Sequence, residues 1–274
     1  MRIDFNKIKR TLFWLARLVV AFFVFMILYG VSQVIVDVAE SPLMKILASI
    51  LTAGVLIGSY GGLRYFLEKK WPDDLNWKRL LPDTGLGMGM GVAYFCALVL
   101  LMLLFGLYKV QSVQFPAVSL AVMFANFLMV AVGEEIVFRG VFFRMIDYFI
   151  GTKTAYLLSA LLFGFAHLPQ GTVWSSVAIA IEAGLLLAVA YKYTNTLWLP
   201  IGIHWTWNFT QGNVFGFMVS GTDSGNSIIT SLTEGPELLT GGEFGAEASI
   251  LAVVLGAALA VYLIYSSNHL RLKQ

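Results

Sequence analysis

The stretch Met129–Arg144, MVAVGEEIVFRGVFFR, sets two adjacent carboxylates, Glu134 and Glu135, into a segment otherwise as apolar as a membrane span. Ionisable groups are costly at that depth and mark functional positions by default. Two later stretches supply groups that could work with them: Phe163–His167, FGFAH, and His204–Asn208, HWTWN, each again inside hydrophobic sequence. The chain reads outward from these three stretches.

Of the 274 residues, 58% are hydrophobic and 12% charged, against about 25% charged in soluble domains. The composition therefore predicts a polytopic membrane protein. A net charge of +2 is too small to argue for nucleic acid, and the basic residues sit in loops, where they set orientation. The lone cysteine, Cys96, lies in a hydrophobic run; it excludes a disulfide framework and reads as a packed, inert thiol. Arg2, Lys7, Lys9 and Arg10 precede a long apolar run with no cleavage-site pattern, which is read as a retained first helix.

A span needs about 20 apolar residues. Eight segments qualify as candidates: 11–36, 43–67, 85–108, 117–148, 153–168, 172–192, 196–219 and 248–267. The fourth is long and the fifth short, so both are expected to be irregular in depth. The expectation is an all-α, polytopic membrane protein of about eight transmembrane helices, a single integral membrane domain over 1–274 with its core over about 117–219. With a cytoplasmic amino terminus, that side collects Arg2, Lys7, Lys9, Arg10, Arg64, Lys69, Lys70, Lys78, Arg79, Arg144, Lys153, Lys192, Arg271 and Lys273, leaving Lys45 and Lys109 opposite. Both termini are then cytoplasmic, and the expected location is the cell (plasma) membrane. The stretch Ser220–Glu247 falls outside and, with its Gly, Ser, Thr and acidic residues, reads as a solvated, mobile crossover.

The run Gly85–Gly91, GLGMGMG, has no preceding strand and no P-loop lysine, and it opens a span. Close helix packing through small residues is the reading it supports. Asn208-Phe209-Thr210 matches a glycosylation sequon, but it lies inside an apolar span and is set aside.

Adjacent residues on a helix point about 100° apart, so Glu134 and Glu135 are assigned different jobs. Glu135 precedes Arg139 by four residues, the order and spacing of a carboxylate–guanidinium pair on one helix face. That leaves Glu134 without such a partner, a carboxylate placed to take a proton from water. Counting from Gly151, Glu134 is 17 residues back and His167 is 16 forward; at about 1.5 Å per residue the two lie nearly level on an antiparallel helix pair. His204 and Asn208, four apart, share a face as donor and acceptor. Glu182, in the sixth segment, is left between two roles: substrate or pore contact, and structural partner of a neighbouring helix.

The segments Glu134-Glu135-x-x-x-Arg139, Phe163-x-x-x-His167 and His204-x-x-x-Asn208, in this order on successive hydrophobic helices, resemble the motifs of the CAAX protease and bacteriocin-processing family, called CPBP or Abi. The run Thr194–Asn208 is also similar to that family's approach to its last motif. The resemblance covers Gly133–Phe209 and implies an intramembrane endopeptidase whose helices surround a catalytic cavity within the bilayer. It assigns Glu134 as general base, His167 as its partner on the water, and His204 with Asn208 as oxyanion stabilisers, supported by Glu135 and Arg139. Amide hydrolysis needs an activated water on one side of the carbonyl and preorganised donors on the other, which is the same division. No cofactor is required by this reading. The alternative is zinc on Glu134, His167 and His204, although no HExxH spacing is present. The implied partners are a peptide or membrane-associated protein substrate and the lipid bilayer, with no nucleic acid. Competing readings are a non-catalytic immunity or scaffold protein of the same fold, and a transporter, for which no internal repeat is evident.

Overall fold

The computed structural model describes residues 5–271, with side-chain burial for 19–267. Of the basic residues in the orientation argument, Arg2 and Lys273 lie outside the described residues, as do the side chains of Lys7, Lys9, Arg10 and Arg271. Helices α1 (Phe5–Asp37), α2 (Pro42–Glu68) and α3 (Leu80–Leu104) come first. Next, α4 (Ala117–Glu135) runs through a π-helical stretch, Ile136–Phe143, into α5 (Arg144–Phe149), and α6 (Thr152–Ala166) returns. A second π-helical stretch, Ala180–Leu185, joins α7 (Val173–Ile179) to α8 (Leu186–Thr194). A third, Thr210–Val214, extends α9 (Trp198–Phe209), and a short α10 (Glu237–Thr240) precedes α11 (Ile250–Arg271).

The fold is thus all-α and polytopic, and each of the eight hydrophobic segments contains a helix. Among the described residues six helical segments are long and apolar enough to cross a membrane. The other two, α6 with 15 residues and α9 with 12, fall short of the about 20 that a crossing needs. Those two carry the second and third motifs. Val173–Thr194 is 67% buried, whereas the other spans are 17–39% buried, so α7–α8 is the central rod and the rest turn apolar side chains outward, as lipid contact requires. Cys96 corrects one expectation: it is exposed on the outer face of α3 rather than packed.

Local sequence sets the helix ends. Ser41 caps α2, its hydroxyl accepting from the Met44 amide at 3.2 Å with Pro42 in the first turn, while Thr172 and Ser175 form a reciprocal cap on α7, each satisfying amides that no helix bond reaches. The glycine run is split by helix periodicity. Gly87 and Gly91 on α3 lie so close to Leu199, Ile203 and Thr206 of α9 that no Cβ would fit, and Gly202 is equally tight against Thr84 and Met88. Gly85 and Gly89 face open space. Small residues on both helices therefore let α3 and α9 approach backbone to backbone, which fixes the helix that bears His204.

At the bundle end with the basic loops, most of the described cations are paired. Arg64 contacts Asp74 at 3.0 Å and Glu68 at 2.7 Å, Arg144 reaches Glu68 at 2.5 Å, and Lys192 meets Asp147 at 2.7 Å. Trp77 packs between Trp71 and Trp198 beside them, with ring centroids 6.0 and 5.4 Å apart, an aromatic arrangement suited to a membrane interface.

The crossover after α9 is the largest departure from expectation. Part of it is a strand, β2 (Ile229–Thr233), pairing antiparallel with β1 (Tyr108–Val113). Ser224, Ser227, Thr240, Phe244 and Glu247 are buried, so the segment is a folded cap and not a solvated linker. Neither strand was expected, because their pairing partners are far apart in sequence and each run is short.

Candidate active site

The α-helical ladder of α4 stops directly after the glutamate pair. From Ile136 to Phe143 the backbone is π-helical, a rare geometry that appears frequently at functional sites. The other two π-helical stretches hold Glu182 and follow Asn208 by two residues. All three thus lie at or beside intramembrane polar residues.

Glu135 and Arg139 are completely buried, and Glu135 Oε1 accepts from Arg139 Nη1 at 2.9 Å. The pair forms although the turn between them is π-helical and wider than a regular helical turn. Arg139 Nη2 donates to the carbonyls of Gly184 and Ala183 at 3.0 and 3.3 Å, serving oxygens of the second π-helical stretch. The guanidinium also lies over the Phe163 ring, 4.6 Å from its centroid, in cation–π range.

The same Glu135 oxygen accepts from His204 Nδ1 at 2.9 Å. This orients the ring and turns Nε2 towards Glu134, whose Oε2 is 3.9 Å away. Among the described residues Glu134 has no guanidinium partner. Its Oε1 accepts from the Tyr29 hydroxyl at 3.3 Å, and its Oε2 meets no hydrogen-bond donor among those residues. Burying an acceptor unpaired is unfavourable, so Oε2 is a position where a water or a substrate proton would be welcome.

His167 follows α6 as its C-terminal cap residue, and its Nδ1 sits 2.8 Å from the Phe163 carbonyl. A carbonyl only accepts, so Nδ1 carries the proton there and Nε2 is left free. Phe163 is the common neighbour: its ring centroid is 4.8 Å from the ring of His167 and 6.1 Å from that of His204. Asn208 is buried and lies one turn beyond His204.

Glu134, His167, His204 and Asn208 all line one cavity of about 310 Å³, which Tyr29, Asn126, Val219, Ser220 and Thr222–Ser224 also line. Sequence reasoning missed three residues of this neighbourhood. Tyr29, supported by Gln33 at 2.9 Å, left one faint signal: a polar pair four residues apart on an apolar span. Ser220 and Glu247, which share a smaller pocket with His167, His204 and Asn208, lie in the stretch read as solvated. Glu182 resolves towards structure. It is fully buried and takes a bond from the Tyr94 hydroxyl at 3.0 Å, Gly256 of α11 packs on its backbone, and it does not line this cavity.

A zinc site would need three donors converging on one point. Among the described residues no three His, Cys, Asp or Glu side chains do so. The set Glu134, His167 and His204 therefore does not fit a metal in this arrangement.

The fold and cavity define a polytopic integral membrane protein with convergent polar side chains from three helices inside an apolar bundle. Residues 116–210 match the family model described as Rce1-like, type II CAAX prenyl endopeptidase Rce1-like. That stretch contains all three motifs and bears out the resemblance to the CPBP/Abi family. No curated protein and no solved structure matches the chain.

Proposed function

We propose that this protein is an intramembrane endopeptidase that hydrolyses a peptide bond with a water activated by Glu134 and His167. The observation that carries the reading is the shared cavity: Glu134, His167, His204 and Asn208 reach it from α4, the end of α6 and α9.

Glu134 takes a proton from a water that also hydrogen-bonds to His167 Nε2, and the oxygen adds to the substrate carbonyl. The resulting oxyanion is held by the Asn208 amide and by His204 Nε2–H. Because His204 Nδ1 already donates to Glu135, donation from Nε2 requires the doubly protonated ring, whose charge the flanking carboxylates compensate. Collapse breaks the C–N bond, and the proton on Glu134 passes to the leaving amine. Arg139 acts at one remove, holding Glu135 so that Glu135 can hold His204.

The substrate is a peptide or a membrane-associated protein. The proposed orientation follows the basic-residue asymmetry, with both termini cytoplasmic, and the compartment we infer is the cell membrane. Purified protein in lipid vesicles, assayed against membrane-presented peptides, tests the activity. Glu134→Ala should lose roughly 10²–10⁴-fold in turnover, the contribution of a positioned base, while folding normally. Equal cleavage by wild type and Glu134→Ala would overturn the reading.

A further inference from the structure

The cap after α9 puts one tight turn between two open spaces. Val219 and Thr222 exchange both backbone hydrogen bonds at 2.9 Å, and the two residues between them, Ser220 and Gly221, have φ of 49° and 76°. Two positive φ values make this a type I′ turn. Gly221 adopts the left-handed conformation freely, whereas Ser220 holds it at a cost. Such strain persists only where the surroundings over-determine it.

The surroundings are Glu247. In this turn the Ser220 N–H is not part of the Val219–Thr222 pair, and Glu247 Oε1 accepts from it at 2.5 Å and from the Ser220 hydroxyl at 3.0 Å. Glu247 also lines, with Ser220, the small pocket that His167, His204 and Asn208 share. Glu247 is only 2% exposed. It is a buried carboxylate whose hydrogen bonds are made to donors, outside the stretch 116–210 that carries the family match. A second tie runs from the Gly221 N–H to the Phe244 carbonyl at 2.8 Å, so the segment 244–247 clasps the turn from one side.

On one face of the turn, Ser220 lines the cavity with Glu134, His167, His204 and Asn208. On the other, Gly221 lines a cleft of about 900 Å³ bounded also by Thr172, Thr233, Glu237 and Phe244. Gln170 borders both spaces. The inner cavity, about 310 Å³, is at the small end of pockets for single small molecules, about 300–1,000 Å³. An endopeptidase must seat residues on both sides of the scissile bond, each adding about 3.3–3.6 Å of extended chain. Joined, the two spaces would seat more extended chain than the inner cavity alone.

We propose that Glu247 is a positioning residue that fastens the Ser220–Gly221 turn as a removable wall between the inner cavity and the outer cleft, so that it sets the length of polypeptide the site admits. The proposal rests on the endopeptidase reading for its consequence, but not for its geometry. Glu247→Gln keeps an oxygen able to accept both Ser220 bonds and should leave the wall in place. Glu247→Ala removes the fastening, and Glu247→Asp withdraws the carboxylate by one methylene.

The test reads the wall directly. In a Cys96→Ser background, Asn126→Cys places a thiol on the inner cavity, and its rate of labelling by a water-soluble maleimide reports access. Glu247→Ala should label at least fivefold faster than the parent, Glu247→Asp should be intermediate, and Glu247→Gln should stay within twofold. With peptides of increasing length, Glu247→Ala should lower KM for the longer ones while kcat holds, and Glu247→Gln should restore the parental pattern. Unchanged labelling in folded Glu247→Ala and Glu247→Asp overturns the proposal, as does equal acceleration by Glu247→Gln. Absence of cleavage by wild type over Glu134→Ala would instead sink the endopeptidase reading, and the labelling rates would still decide on the wall.

Discussion

Replacing Arg139 with alanine should unfold the site through structure and not through chemistry. The side chain is completely buried, and four interactions depend on it: Glu135 at 2.9 Å, the carbonyls of Gly184 and Ala183 at 3.0 and 3.3 Å, and the Phe163 ring at 4.6 Å. Truncation leaves Glu135 buried with His204 as its remaining hydrogen-bond partner among the described residues, and breaking a buried pair this way costs about 3–5 kcal/mol. At roughly 2–4 °C per kcal/mol for a chain of this size, the melting temperature in detergent should fall by about 6–20 °C. Arg139→Lys should be intermediate, because an ammonium keeps the charge but cannot span the carboxylate and two carbonyls as the planar fork does. Glu135→Gln combined with Arg139→Met should recover most of the loss, since the orphan charge is gone while the introduced amide oxygen can still accept from His204. A thermal-shift series on the four purified proteins measures this. An unchanged melting temperature for Arg139→Ala would refute the account of the pair as the support of His204.

Asn208→Ala should reduce kcat by about 10²–10³, the worth of one oxyanion donor, with little change in melting temperature; chelators should leave wild-type turnover intact, and stoichiometric zinc lost together with activity in His204→Ala would overturn the metal-free mechanism. For topology, Asn226→Cys is the site to label, since Asn226 is exposed while Ser224 in the same loop is buried; reaction only from the cytoplasmic side would contradict the expected orientation. Gly91→Ala should destabilise by about 1–3 kcal/mol through overpacking, because its new Cβ would meet the Ile203 carbonyl and the Thr206 hydroxyl, whereas Gly89→Ala, facing open space, should be neutral. Equal melting temperatures for the two variants would remove the close α3–α9 contact.

By itself the sequence determined the membrane class, the eight helical segments and the three motifs, because hydrophobicity over about 20 residues and a polar side chain within it are local, one-dimensional signals. The separate environments of Glu134 and Glu135 were legible too, since they follow from the angle between successive helical residues. Tertiary structure decided what no local pattern encodes. Three π-helical stretches replaced regular turns beside the polar residues. Glu182 went to a contact with Tyr94 of α3, a choice between neighbours that one helix's periodicity cannot make. The Ser220–Glu247 stretch looked solvated because its Gly, Ser, Thr and Glu content is that of a loop. Its burial comes from pairings that no local pattern shows: β2 with β1, the carbonyls of Ser224 and Asn226 with the Asn213 amide, and the Ser220 turn with Glu247.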